Sequence, residues 1–141
     1  MSTLAKTDIP AILHGLRDSY SILSCLVESI PEEAMYSKRG ETFWTIAEHV
    51  AHLAEVQPMA LERLNLMLEE DNPQFSPYSP SDNTNENSAS FLTVQEALSE
   101  FKRGRDAIVT RLSTASPTDW KRTAIHPKYN IYDIHTSARH N

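Results

Sequence analysis

The chain has 141 residues, a formal net charge of −6 and a 40% share of hydrophobic residues. This length is typical of one domain with its own core, and no stretch approaches the roughly 18–20 apolar residues that cross a membrane. The acidic charge, three glycines and single cysteine argue against a nucleic-acid surface, a glycine-rich phosphate loop and an internal disulfide. We therefore expect one cytoplasmic domain over residues 1–141, with neither nucleic acid nor membrane as a partner.

The first predicted helix runs from about Asp8 to Glu28. Asp8 is a good helix cap, and Pro10 suits a first turn because its missing N–H has no partner there. Apolar residues follow at helical spacing on one stripe. Pro31 marks the end of this segment.

The second predicted helix begins at Thr45. Thr45 and Glu48 have the spacing of a capping box, and Trp44 lies just outside as half of a hydrophobic staple. The apolar stripe continues to Leu68. Pro58 lies inside the stripe and predicts a kink, since it cannot donate a backbone hydrogen bond.

Residues 71–90 have a different composition, with three prolines and many Asn and Ser residues. Such a segment is not a regular helix, and its length indicates a crossover between two helices that run parallel. The third predicted helix starts at Thr93, where Glu96 completes a second capping-box pattern, and ends near Thr114.

A polar linker containing His126 leads to the fourth predicted helix, which starts around residues 129–131 and extends to Asn141. It has about half the length of the others, so we expect it to be an incomplete bundle helix. The four segments together predict an all-α four-helix bundle.

Six histidines are present, and their positions decide which of them can meet. His49 and His52 are three residues apart on the second helix and lie on neighbouring parts of one face. Either is a candidate metal ligand or a partly exposed helix residue. His135 and His140 are five apart and point roughly 140° away from each other, so only one of them should face the core.

The run from Phe43 to Leu53 resembles the signature of the DinB-like family, in which a metal-binding histidine follows a tryptophan by eight residues. Here the pair is Trp44 and His52. Residues 96–101 and 119–129 resemble the third helix and the following linker of that family. The resemblance implies an up-down-down-up bundle with a long crossover between helices two and three.

The resemblance also implies a divalent metal, Zn or Ni, held by one histidine on helix two and an H-x-x-x-H pair on helix four. His52 and His140 match two of these ligands, and the third would fall beyond Asn141. Three alternatives follow: the chain is part of a longer protein that supplies the third ligand, the site is lost in this member, or a local side chain such as Glu48, Glu55 or His49 replaces that ligand. Glu48 and Glu55 are the candidate catalytic residues, as a base or as partners of the ligands.

The implied function is that of a metal-dependent enzyme with a small-molecule substrate. Relatives in the family suggest thiol S-transfer, with a low-molecular-weight thiol, or hydrolase-type chemistry, in which the metal activates a thiol or a water molecule. We also expect Tyr129 and Tyr132, near the linker, to form the wall of a pocket. The alternative is a metal-free bundle that acts as a binding module, or as a dimerisation module that forms a homodimer through an exposed apolar face.

Overall fold

The structure is a computed structural model that describes residues 2–77 and 93–140. Over these ranges the chain forms three long helices, two short ones and a single turn of 3-10 helix, and the only β-pairing is two isolated bridges. None of the described helices is long and apolar enough to cross a membrane. The elements are α1 (Ser2–Glu28), α2 (Glu32–Met35), α3 (Ile46–Glu69), α4 (Val94–Ser113), the 3-10 turn (Asp119–Lys121) and α5 (Ile134–His140).

Helices α3 and α4 follow each other in the chain and run parallel. Gln57 of α3 lies against Gly104 of α4, and two turns further along both helices Arg111 Nε donates a hydrogen bond to Asn65 Oδ1 over 2.9 Å. The residue numbers therefore increase together along the contact. This confirms the parallel course that the composition of residues 71–90 predicts. Residues 78–92, which include most of the predicted crossover, lie outside the described residues.

Helices α1 and α5 run opposite to that pair. Leu16 packs in the same core cluster as Ile108, and Val27 packs in the same cluster as Val94, so α1 is antiparallel to α4. His135 near the start of α5 contacts Asp8 near the start of α1, so these two helices run in the same direction. The up-down-down-up course is therefore confirmed.

The predicted caps of α3 and α4 are present. Thr45 Oγ1 accepts a hydrogen bond from the Glu48 N–H, and the Glu48 carboxylate accepts one from the Thr45 N–H. Thr93 Oγ1 accepts from the Glu96 N–H over 3.1 Å. These side chains satisfy donors that the first turn of a helix otherwise leaves without a partner. Helix α3 is continuous through Pro58.

The predicted start of the first helix at Asp8 was wrong. Helix α1 begins at Ser2 and contains Pro10 in its interior. The Asp8 carboxylate does not cap the helix; it pairs with His135 Nε2 over 2.8 Å. An Asp that pairs with a residue of another helix cannot be told apart, in the sequence alone, from an Asp that caps a helix.

The predicted start of the fourth helix at residues 129–131 was also wrong, because α5 begins at Ile134. The preceding backbone is paired instead: the Ala124 N–H donates to the Tyr132 carbonyl over 3.0 Å, and Thr123 and Asp133 form an antiparallel bridge. Asp133 then caps α5, since its Oδ1 accepts from the Thr136 N–H over 2.7 Å.

Replacing Gly104 with alanine tests the close approach of α3 and α4. A Cβ atom at Gly104 would lie 2.4 Å from the Gln57 Cβ, so the two helices must separate, and we expect the free energy of unfolding to fall by about 1–3 kcal/mol. Gly15→Ala is the matched control, because nothing lies within 4 Å of a Cβ at Gly15. It should raise stability by about 0.5–1 kcal/mol through helix propensity. Chemical denaturation measures both, and equal effects would contradict this packing.

Candidate functional site

The linker of residues 122–133 is attached to the C-terminal end of α3 by Arg122. Arg122 Nε donates to the Met67 carbonyl over 2.6 Å, and its Nη2 donates to the Glu70 carbonyl over 3.1 Å. The backbone of the linker pairs with the chain after α3, where the Phe75 N–H donates to the Ile125 carbonyl over 2.9 Å. These bonds fix the linker beside α3 and determine where α5 starts.

A cavity of about 230 Å³ lies between α3, this linker and α5. We call it the linker cavity. It is smaller than the roughly 300–1,000 Å³ of pockets for drug-sized ligands, so its ligand would be a small molecule. It is lined by Met59, Ala60, Arg63, Pro77, His126, Pro127, Lys128, Tyr129, Tyr132, Ser137 and His140.

Aromatic rings form one wall of the linker cavity. Tyr129 and Tyr132 are stacked, with ring centroids 5.8 Å apart and an interplanar angle of 17°. The His126 ring lies 4.7 Å from Tyr129 and 4.6 Å from Tyr132, and Phe75 meets Tyr132 edge-on. This wall agrees with the expectation that Tyr129 and Tyr132 border a pocket.

The orientation of His126 makes it a hydrogen-bond donor toward its surroundings. Its Nδ1 lies 3.0 Å from the Lys128 backbone N–H, which donates to it, so the neutral ring carries its proton on Nε2. Burial lowers the pKa of His126, and the charges of Arg63, His140 and Lys128 lower it further. A ring that accepts at Nδ1 and holds its proton on Nε2 is not arranged as a metal ligand.

His52 lies in a different environment, at the N-terminal half of α3. Its ring meets Trp44 edge-on, with centroids 5.3 Å apart, and Trp44 also contacts the His49 ring at 5.3 Å. Glu55, one turn along the helix, is partly buried; burial raises the pKa of its carboxyl group, and the positive charge of His52 opposes that rise. A carboxyl group with a perturbed pKa beside a histidine is typical of functional sites.

His52 shares one face of α3 with the linker cavity. Met59 follows it by seven residues and Arg63 by eleven, which places all three within about 20° of one direction on the helix. Along the axis, Met59 is about 10.5 Å from His52 at a rise of 1.5 Å per residue. His140 lines the cavity beside Met59 and Arg63, while His52 does not.

His140 therefore lies at the linker cavity, and His52 lies toward the N-terminal end of the same face of α3, outside the cavity lining. Within residues 2–77 and 93–140, no three His, Cys, Asp or Glu side chains are grouped so as to hold a metal ion. His135 faces away from the linker cavity, toward Asp8 and the Trp120 ring.

The two candidate catalytic carboxylates have different surroundings. Glu48 is exposed, and its carboxylate is part of the capping box of α3. Glu55 is partly buried, and its carboxyl group interacts electrostatically with His52. Sequence reasoning did not single out Arg63 or Lys128, and it interpreted His126 as a linker residue. The eleven-residue spacing between His52 and Arg63 is a signal that could have revealed Arg63.

Substitutions of Glu48 test whether its carboxylate is structural. Glu48→Ala removes the bond to the Thr45 N–H and should lower the free energy of unfolding by about 1 kcal/mol. Glu48→Gln should retain most of the stability, since an amide oxygen also accepts in a capping box. Glu62→Ala, an exposed position on the same helix, is the control and should have little effect. A Glu48→Gln protein as unstable as Glu48→Ala would contradict the capping role.

The chain matches one family model and is similar to solved structures. The family model described as the DinB superfamily matches residues 16–140. Among solved structures, the chain is similar to YfiT from Bacillus subtilis, which is described as a probable metal-dependent hydrolase with an unusual four-helix bundle topology. The two share 20% sequence identity with a TM-score of 0.81, over 92% of this chain and 75% of that one. At this identity the likeness shows the fold alone. No curated protein sequence matches the chain.

Proposed function

The chain belongs to the DinB superfamily, and from this premise we propose that it is a metal-dependent enzyme that acts on a small molecule. The observation that carries the proposal is the single face of α3 on which His52 and Arg63 lie, and which meets His140 of α5 at the linker cavity. Hydrolysis is the proposed reaction, because that is the chemistry ascribed to YfiT. Thiol S-transfer is the second reaction to test.

His52 and His140 are the residues that we assign to a zinc or nickel ion. They supply the nitrogen donors that such ions prefer. A catalytic zinc site usually takes three protein ligands, and the described side chains do not fit that number. The metal assignment therefore rests on family membership and on these two donors.

Glu55 is the residue that we propose for acid–base chemistry. Its carboxyl pKa is raised by burial, which brings it closer to the range in which a group both accepts and releases protons near neutral pH. Glu48 has the weaker claim, because its carboxylate is already bonded to the backbone of Thr45.

Metal content measured by elemental analysis tests the proposal. Protein purified with added zinc or nickel should retain close to one ion per chain, and His52→Ala and His140→Ala should each reduce metal affinity by about tenfold or more. His14→Ala is the matched control, because it removes an exposed imidazole from α1 rather than from α3 or α5. The control should bind metal like the unmodified protein.

Metal below one ion per ten chains, unchanged by His52→Ala, would contradict the assignment. The same would follow if His14→Ala lost as much metal as His52→Ala. A chain that binds metal as proposed would then be screened for ester and amide hydrolysis and for thiol transfer.

A metal-free binding or dimerisation module is the second candidate function. It is favoured by Ile22 and Leu26, two large apolar side chains one turn apart on α1 that are 60% and 58% exposed. Neighbouring exposed apolar side chains contribute to the kind of contiguous patch that marks an interaction site. A dimer in sedimentation experiments that Leu26→Glu dissociates would support this function.

A further inference from the structure

The charge around the linker cavity has the opposite sign to that of the whole chain. The protein carries a net charge of −6, yet the described residues that line the cavity include Arg63 and Lys128 and no Asp or Glu. His126 and His140 add imidazole rings, and Tyr129 and Tyr132 contribute phenol groups. These side chains donate hydrogen bonds or carry positive charge, which favours an anion.

Arg63 is held in position at the rim of this cavity. Its Nη2 donates to the Ser76 carbonyl over 2.7 Å, and its guanidinium group lies 4.9 Å above the Phe75 ring. Only one of its five N–H groups is needed for the Ser76 bond, so others remain to bind a ligand. A guanidinium group fixed in this way matches a carboxylate through two parallel hydrogen bonds.

The aromatic wall adds a preference for flat ligands. The rings of Tyr129, Tyr132 and His126 pack against one another, and all three line the cavity. A planar ligand gains from stacking or edge contacts with such rings. The His126 Nδ1 accepts from the Lys128 N–H over 3.0 Å, so Nε2 is the ring atom that can donate to the anion.

We propose that the linker cavity is a binding site for a small carboxylate with a planar body. Arg63 and Lys128 bind the carboxylate group, and the rings of His126, Tyr129 and Tyr132 contact the planar part. This names a substrate class for the enzyme and to that extent rests on the proposed function. Binding itself needs only the side chains of the cavity and no metal.

Calorimetric titration of metal-depleted protein with benzoate and with benzamide tests the site. The two probes have nearly the same shape, and only benzoate is charged. Benzoate should bind about tenfold or more tightly than benzamide, as expected for charge-assisted hydrogen bonds to Arg63. Equal affinities for the two probes would overturn the proposal.

Three variants assign the binding to the cavity. Arg63→Gln should weaken benzoate about tenfold or more and leave benzamide almost unchanged. Arg103→Gln is the matched control, because it removes the same charge from an exposed arginine of α4 that pairs with Glu100. Lys128→Gln changes an exposed side chain and should weaken benzoate about threefold.

Arg63 also bonds the Ser76 carbonyl and contacts the Phe75 ring, so Arg63→Gln can disturb the fold. In that case the benzoate affinity of Lys128→Gln is the deciding measurement. Benzoate affinities that neither Arg63→Gln nor Lys128→Gln reduces, or that Arg103→Gln reduces equally, would overturn the proposal. The titration uses metal-depleted protein, whereas the proposed function is tested by metal content. Benzoate binding without metal binding would therefore refute the metal assignment and support the carboxylate site. Metal binding without benzoate binding would refute the carboxylate site alone.

Discussion

The arrangement of the candidate site depends on Arg122, which joins the linker to the end of α3. The last carbonyl groups of a helix have no partner within the helix, and a guanidinium group there both donates hydrogen bonds and complements the helix dipole. Arg122 bonds the carbonyls of Met67 and Glu70, and its own carbonyl accepts from the Ile134 N–H, the first residue of α5. One residue therefore joins the end of α3 to the linker through its side chain and the start of α5 to the linker through its backbone.

Two faces of α3 contact different parts of the structure. Gln57 lies against Gly104 on the side toward α4, where the absence of a side chain lets the helices approach. Met59 and Arg63 lie on the side toward α5 and the linker. Because α5 runs back along α3 from Arg122, successive turns of α5 face successively earlier turns of α3. This geometry brings His140 to the level of Met59 and points α5 toward His52.

Much of the fold could be predicted from local signals. The capping residues Thr45 and Thr93 identify the starts of α3 and α4, since a hydroxyl that accepts from the third N–H is a local interaction. The composition of residues 71–90 predicts the parallel course of these helices, because a short turn can join only antiparallel neighbours.

The errors have a common physical cause, which is contacts that reach beyond one or two helical turns. Asp8 is bonded to His135, which is 127 residues away, so its capping signal does not mark a helix start. The backbone of Tyr132 is paired with Ala124, so helical spacing around residue 130 does not make a helix. Arg63 and His126 likewise become site residues only because Arg122 fixes the linker beside α3. A third metal ligand beyond Asn141 is implied by the family resemblance alone and stays a prediction.

The most direct test of this account is to map benzoate binding by NMR on protein labelled at histidine and tyrosine side chains. The account predicts that saturating benzoate shifts the ring signals of His126, Tyr129, Tyr132 and His140, while those of His14 and His135 stay in place. Shifts centred on His49 and His52, or no saturable shifts at all, would contradict the claim that the linker cavity is the centre of function.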